Sequence, residues 1–352
     1  MARRAQLNRI ERLITQLEPQ VRDAFLAAVI SGRDAVDMRA LEAALQAGNI
    51  ARAVELMTLP QGVLFPLDQA LVGAFAAGGA TVTESARRAG VVFGFDGRHP
   101  RAEAWVRDHV GTLITNIARS QREATTMAVR NVIEQQLVAG LAPRTAALDI
   151  VGRVDRATGQ RVGGILGLDV PRADRLLTVS NAMRTPEGVQ SIVVQSRDTG
   201  ALSVKYKVNA ATRLRILRAY RAGTAVPEAE RIISLKQYGN QLLLERGETI
   251  SRTEAITALR AGRAEAFEQA IDQGLVEREK LVKVWSATMD DRTREDHHAM
   301  NGVSVREGEL FTLPDGSQME YPGDASHGAP AEQVINCRCY TSYQVEWIKQ
   351  NG

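Results

Sequence analysis

The spacing of apolar residues predicts that most of this chain is helical. One set near the start recurs at the intervals of a helix face and comprises Leu7, Ile10, Leu13, Ile14 and Leu17. Pro19 is expected to end that helix, because proline removes a backbone donor and clashes with the preceding turn. Shorter helical patterns follow over 21–30, 37–46 and 51–57. We therefore predict an N-terminal helical bundle over residues 1–95.

The next apolar stretch is rich in small residues. Alanine and glycine dominate residues 69–89, and small side chains let helices approach closely. The apolar run from 63 to 82 contains Pro66, Asp68 and the glycine pair at 78–79, so a buried helix is expected and no stable membrane span.

A central helical body is predicted over residues 96–280. Its longest helical pattern, over 102–138, has the length of a spine helix. Residues 152–168 are rich in glycine and arginine but lack the order of a Walker loop, so a tight connection between helices is favoured over a phosphate or nucleic-acid contact. Helices are expected over 227–244, with a join near Gly239, and over 246–273.

The pattern changes in the last seventy residues. Residues 281–285 and 337–347 have the β-branched and alternating character of strands. Thr293 is expected to cap a short helix over 295–300, and 331–335 is expected to form one helical turn. The predicted fold class is therefore mostly α, a multi-helix body followed by a small C-terminal α+β domain over 281–352.

Charge divides along the same line. The full chain has 44 basic and 41 acidic residues, a net charge of +3. From Trp285 onward there are 5 basic and 11 acidic residues, or −6, which leaves 39 and 30, or +9, for the rest. A basic body could face DNA or an acidic partner, although solvated helix faces explain the same charge. Two cysteines and no apolar signal segment near Met1 favour a reducing compartment.

Both cysteines and three of the five histidines lie in this final segment. Cys337 and Cys339 are two residues apart, which on a strand places both sulfurs on one face and strains any disulfide between them. They are expected either to pack as buried thiols or to bind structural zinc together with His297. Asp291, His298 or His327 would then supply a fourth ligand.

The polar run 290–294, Asp-Asp-Arg-Thr-Arg, also has two interpretations. Aspartates after a strand and arginines in the first turn of a helix commonly pair and anchor a loop, and this interpretation is favoured. The alternative is an acid–base or metal site of nuclease type that uses Asp291 and His297.

Several short motifs of rare residues follow one another in a characteristic order in the C-terminal segment. Trp-x-x-x-x-Asp-Asp-Arg-Thr-Arg-x-x-His runs from Trp285 to His297, and Asn-Gly, Tyr-Pro-Gly-Asp and Asn-Cys-Arg-Cys follow. This order resembles the C-terminal signature of the phage head morphogenesis family, the minor head (minor capsid) proteins similar to phage Mu protein F. The resemblance extends to 152–168 and to the block 250–255, whose Arg252 and Glu254 are expected to pair with the tail.

The resemblance implies a structural protein rather than an enzyme. Such a protein acts in portal-associated head assembly, with portal, scaffold or major coat protein as partners and phage DNA as a further partner. It would be found in the virion, in the head interior or near the portal, and in the bacterial host cytoplasm during assembly. The resemblance places the structural centre of the C-terminal module at Trp285, Asp291, Arg292, Arg294, His297, Asn336, Cys337 and Cys339.

An enzyme is the competing hypothesis. Modules of this kind also occur joined to toxin domains, and the C-terminal Asp, His and Cys residues could serve a nuclease or toxin-like enzyme. The chain runs only about a dozen residues past Cys339, so no added toxin domain is expected.

Overall fold

The computed structural model describes residues 2–140 and 142–349. In this part of the chain, helices dominate and the sheets are small, which confirms the predicted fold class. The helices are α1 Ala2–Asp34, α2 Met38–Gln46, α3 Ile50–Leu56, α4 Phe65–Arg88, α5 Pro100–Ala139, α6 Pro143–Val151, α7 Val170–Ala182, α8 Pro186–Ile192, α9 Ala210–Ala222, α10 Glu228–Asp272, α11 Glu295–Ala299 and α12 Ala331–Val334. The strands are β1 Arg153–Val154, β2 Arg161–Val162, β3 Val193–Gln195, β4 Leu202–Val204, β5 Val282–Ser286, β6 Ser304–Arg306, β7 Phe311–Thr312, β8 Gln318–Met319 and β9 Tyr340–Gln344. Two 3₁₀ turns, Gln61–Leu64 and Arg278–Lys280, complete these elements.

The chain forms two compact units, and each contains segments that are distant in sequence. Unit 1 comprises Met1–Phe25, Phe65–Thr112 and Gly247–Gly352, and unit 2 comprises Leu26–Leu64 and Leu113–Arg246. The three consecutive domains expected from the sequence stay a prediction.

The first helix continues through the proline that was expected to end it. α1 runs from Ala2 to Asp34 with Pro19 inside it. Leu17, Val21 and Phe25 form one buried stripe across that position. Burial of this stripe outweighs the cost of about 3 kcal/mol that proline imposes inside a helix, so the sequence prediction of two helices was wrong.

A close helix contact in unit 1 explains the small residues of α4. A side chain at Gly78 would collide with the Leu259 carbonyl of α10, and a side chain at Gly262 would collide with the Phe75 carbonyl of α4. Glycine on both helices therefore lets their backbones touch. By length and composition alone, the helical stretch Gly62–Arg88 could cross a membrane, and 39% of its most apolar window is buried in the protein.

In unit 2, the glycine- and arginine-rich segment forms the antiparallel β1–β2 hairpin and the turns that lead to α7. Arg33 donates two hydrogen bonds to the Leu166 carbonyl, at 2.6 and 2.9 Å, and Arg246 donates one to the Gly167 carbonyl at 2.7 Å. Burial lowers the pKa of Arg33 and of Arg246 to about 10. The segment is therefore a tight connection, and the two buried arginines hold it through hydrogen bonds to its backbone carbonyls.

Gly239 lies inside α10 rather than at a join between two helices. A Cβ at this position would lie 3.1 Å from the Gly164 nitrogen, so glycine lets the connection between α6 and α7 approach the helix. The predicted break near Gly239 was wrong, because glycine serves a close approach here and does not end the helix.

The C-terminal module of unit 1 is built on a three-stranded antiparallel sheet with the order β6–β5–β9. Trp285 on β5 pairs in register with Thr341 on β9, and Val284 pairs with Ser304 on β6. The separate β7–β8 hairpin contributes to a small core. That core consists of Trp285, Met300, Phe311, Leu313, Met319, Cys337 and Cys339. The sheet and this core fix the segments that carry the cysteines and His297.

Candidate functional site

His297 is buried at the centre of the C-terminal module. It lies on α11, which follows β5, and only 1% of its surface is exposed. The Trp285 ring meets the imidazole edge to face, with centroids 5.3 Å apart, and meets Phe311 in the same way. Such aromatic packing fixes the plane of the imidazole ring. In the described part of the chain, Nε2 has no hydrogen-bond partner, so Nδ1 makes the polar contacts of the ring.

Both cysteines face this imidazole. Nδ1 lies 3.7 Å from the Cys337 Sγ and 3.4 Å from the Cys339 Sγ, and both residues are buried and free of disulfides. They do not lie on a strand, as the sequence had suggested, but in the irregular segment between α12 and β9. The two sulfurs still point to the same side of the segment, toward His297, because tertiary contacts rather than a strand set the backbone conformation here.

Asn336 starts that segment with a left-handed turn. Its φ is 58°, a conformation that asparagine adopts more readily than most residues. Its backbone N–H donates to the Thr253 hydroxyl at 3.1 Å. Within the block 250–255, Thr253 thus contacts the tail, whereas Glu254 pairs with His109 at 2.7 Å. The expected pairing of Glu254 with the tail was therefore wrong.

Arg260 on α10 holds the cysteine segment by its backbone. Its Nη2 donates to the Cys337 carbonyl at 3.1 Å and to the Cys339 carbonyl, and it lies 3.7 Å from the Cys337 sulfur. One turn further along α10, Arg263 donates to the Thr341 carbonyl at 2.8 Å. Sequence reasoning missed both arginines. The available signal was two arginines at helical spacing inside the run 255–266, which is rich in alanine.

The two thiols have opposite tendencies to ionise. A hydrogen bond from the Cys339 thiol, together with the charge of Arg260, holds the pKa of Cys337 well below its usual range. Because Cys339 keeps that proton and is buried, the pKa of Cys339 is raised. The hydrogen bond between the two thiols therefore moves their pKa values in opposite directions.

The polar run after β5 forms different pairs from those expected. Arg338 donates two hydrogen bonds of 2.6 Å to the Asp290 carboxylate. This bidentate contact holds the pKa of Asp290 well below its usual range. Arg294 donates to the Ile335 carbonyl at 2.5 Å. The aspartate–arginine anchor predicted within 290–294 instead joins that run to the cysteine segment.

The short helix α11 confirms the predicted helix over 295–300, but its cap differs. Arg294 occupies the N-cap position and makes no side-chain capping bond. The Thr293 hydroxyl donates to the Thr288 carbonyl and contacts Asp290 at 3.1 Å. The predicted capping box was therefore wrong, because Thr293 stabilises the preceding loop.

Asp291 and Arg292 lie outside the buried centre. Both are exposed, and within the described residues the group that could hold a metal here contains only His297, Cys337 and Cys339. Two expected fourth ligands are also elsewhere. His298 contacts the Asp290 carbonyl at 3.1 Å, and the exposed His327 belongs to a separate group with Glu320 and Asp324. The structure thus brings together Trp285, His297, Asn336, Cys337 and Cys339. Arg294 lies beside them and donates to the Ile335 carbonyl, just before the cysteine segment.

Comparison with known proteins agrees with the order of motifs in this module. Residues 210–342 match the family described as phage Mu protein F like protein. Over 106 residues the chain is 32% identical to the Minor head protein GP7 of Bacillus phage SPP1, a match that covers 30% of this chain and 32% of that protein. Over 99 residues it is 33% identical to the NAD(+)--arginine ADP-ribosyltransferase EFV of Enterococcus faecalis, covering 28% of this chain and 19% of that protein.

These matches span a third or less of each relative's length. No solved structure matches the chain. Residues 210–342 therefore resemble the phage Mu protein F-like family, and the chain is similar to a minor head protein over part of its length.

Proposed function

We propose that this protein is a minor head protein of a tailed phage or prophage that acts in portal-associated head assembly. The observation that carries the proposal is the family match over residues 210–342, together with the similarity to a minor head protein. In this role the protein is a virion component, located in the head interior or near the portal. It is made in the host cytoplasm during assembly.

The residues of the motif form one group that is buried and another that is exposed to solvent. His297, Cys337 and Cys339 are buried, so a rigid protein partner cannot reach them without opening the module. Asp291 and Arg292 belong to the same motif but are exposed. The Asp290–Arg338 pair and the Arg294 contact anchor the run that carries them. We infer that Asp291 and Arg292 contact portal, scaffold or major coat protein, while the buried residues maintain the fold.

The charge distribution supports a further partner. The chain before Trp285 has 39 basic and 30 acidic residues, or +9, so this part can approach a polyanion such as phage DNA. Binding of this type weakens steeply with salt, because it releases counterions from the phosphates. A role in DNA packaging or ejection would use this charge.

We propose a structural rather than an enzymatic role. The nuclease hypothesis needs Asp291 and His297 to act together, but Asp291 is exposed and His297 is 1% exposed. The similarity to an ADP-ribosyltransferase covers 19% of that protein. The full chain is expected to cut neither DNA nor RNA with magnesium, manganese or zinc present, and to consume no NAD⁺. Turnover in either assay, lost on Asp291→Ala or His297→Ala, would instead establish an enzyme.

The first experiment is quantitative mass spectrometry of purified procapsids and mature virions from the source phage. The protein is expected in low copy number in at least one of these particles. Loss between procapsid and virion would indicate an assembly factor, and retention would indicate a virion component. Absence from both particles would overturn the proposal.

A second experiment separates partner contact from folding. Asp291→Ala combined with Arg292→Ala is expected to reduce the yield of infectious particles at least tenfold while the melting temperature stays unchanged. Glu295→Ala changes an exposed residue of the same segment outside the motif, and it is expected to leave the yield unchanged. Equal yields from both variants would show that these exposed residues do not make the proposed contact.

A further inference from the structure

We propose that His297, Cys337 and Cys339 form a zinc site with three protein ligands inside the C-terminal module. The three side chains are buried, and their ligand atoms all lie within 4.8 Å of one another. They come from two separate segments, α11 and the stretch before β9, which the sheet brings together. This proposal does not depend on the role of the protein in the phage head.

The distances fit tetrahedral zinc. Zinc–sulfur bonds of about 2.3 Å and zinc–nitrogen bonds of about 2.0–2.1 Å, at a tetrahedral angle, place the two donors roughly 3.5 Å apart. The observed separations of His297 Nδ1 from the two sulfurs are 3.4 and 3.7 Å. A zinc ion between the three donors therefore requires little movement of the side chains.

The donor set selects the metal by its chemistry. Zinc binding displaces the thiol proton of Cys339 to solvent. The resulting two thiolates and one imidazole suit zinc, whereas magnesium and calcium require oxygen ligands. Within the described residues, no carboxylate belongs to this group. Asp291, His298 and His327 lie outside this group, so the proposed site has three protein ligands and a fourth position for a solvent molecule. The resulting centre of one Zn²⁺, two thiolates and one imidazole is electrically neutral.

The surroundings hold the ligands in place before a metal binds. Arg260 fixes the backbone on both sides of the cysteine pair through the Cys337 and Cys339 carbonyls. Its Nη2 also lies 3.7 Å from the Cys337 sulfur and can donate to a zinc-bound thiolate. Trp285 packs against the imidazole and keeps Nδ1 directed at the sulfurs. These contacts orient the two sulfurs and the imidazole nitrogen toward one point.

Metal analysis of the full-length, untagged protein tests the proposal. Protein expressed with added zinc and purified without chelator is expected to contain about one zinc per chain by plasma mass spectrometry. Cys337→Ser and His297→Ala are expected to lower that content at least fivefold. His298→Gln changes the neighbouring histidine, which contacts Asp290 rather than the sulfurs, and is expected to retain the metal.

A measurement on the unchanged protein avoids variants that fail to fold. Removal of zinc by a strong chelator is expected to lower the melting temperature by about 5 °C or more, and added zinc should restore it. Cobalt substitution should give the charge-transfer absorption of a thiolate–cobalt centre. Less than a tenth of a zinc per chain, with no cobalt signal and no change on chelation, would overturn the proposal and leave a metal-free thiol pair.

Discussion

Buried arginines hold an irregular segment in both units, but the two segments carry different chemistry. In unit 2, Arg33 and Arg246 donate to the Leu166 and Gly167 carbonyls. In unit 1, Arg260 donates to the Cys337 and Cys339 carbonyls. A guanidinium group can donate hydrogen bonds to several carbonyls at once. It therefore suits irregular segments whose carbonyls are not paired within a helix or a sheet.

The difference lies in the side chains of the two segments. The unit 2 connection uses glycines with positive φ, including Gly163, Gly164 and Gly167, and serves as a compact link. The unit 1 segment presents two sulfurs to His297. The same backbone support therefore produces a structural connection in one unit and a potential ligand set in the other.

The largest effect is expected from Arg260→Ala. This change leaves two buried carbonyls without their charged donor, and it should lower the free energy of unfolding by about 4 kcal/mol. Urea unfolding of the full chain measures the loss, and the exposed Arg292→Ala serves as the control. A loss equal to that of Arg292→Ala would show that the cysteine segment does not depend on this arginine.

The corresponding change in unit 2 is Arg33→Ala. Arg33 donates twice to one carbonyl, so its removal should lower the free energy of unfolding by about 3 kcal/mol. The zinc content should not change, which distinguishes this variant from the unit 1 variants. The exposed Arg39→Ala is the matched control. Loss of metal from Arg33→Ala would contradict the separation of roles between the two segments.

A smaller effect is expected from Gly323→Ala. Gly323 has a φ of +79°, and a Cβ there would lie 2.5 Å from Arg260 Nη1. The left-handed strain and the displaced guanidinium together should cost about 2 kcal/mol, as measured by thermal unfolding. Gly302→Ala has a similar φ, +90°, with open space around it, and should cost only about 1 kcal/mol. Equal losses would show that displacement of Arg260 contributes nothing.

The smallest effect is the acid sensitivity of the Asp290–Arg338 pair. Because Arg338 holds the pKa of Asp290 below its usual range, the pair contributes stability above the unfolded pKa of about 4. That contribution is lost as the pH falls through the lower folded pKa. The difference in melting temperature between the wild type and Asp290→Asn should therefore shrink below pH ~4. A difference that stays constant to the lowest pH would contradict this account.

The same acid range should leave the unit 2 contact unaffected. Arg33 binds a neutral carbonyl, and its pKa of about 10 keeps it charged throughout. The melting-temperature difference between the wild type and Arg33→Ala should therefore stay constant from neutral pH down to the acid limit.

Sequence patterns predicted the elements of the C-terminal module well. The strand over 281–285 and the short helices near 295 and 331 are present as β5, α11 and α12. They were predictable because local signals, such as β-branched runs and polar helix starts, act over a few residues. The predictions at Pro19 and Gly239 failed for the opposite reason, since burial and close packing overrode the local preference.

The sequence singled out three residues that lie together in the structure, but it gave no sign of the arginine that holds their segment. Rare residues in a recognisable order pointed to His297, Cys337 and Cys339, which the structure brings together. The same order gave no means to separate Asp291, which is exposed, from Asp290, which pairs with Arg338. Asp290 and Asp291 have the same side chain, and the conformation of the loop decides which of them meets Arg338.

The sequence by itself determined the mostly helical class, the small α+β module and the resemblance of residues 210–342 to the phage Mu protein F-like family, because helical periodicity and rare motifs are local properties of the chain. Only the tertiary structure decided that Arg260, some 77 residues before Cys337, would hold the cysteine segment. It also decided that both sulfurs would face one imidazole nitrogen. Such contacts depend on long-range packing of α10 against the tail, and no periodicity in a single sequence encodes that pairing.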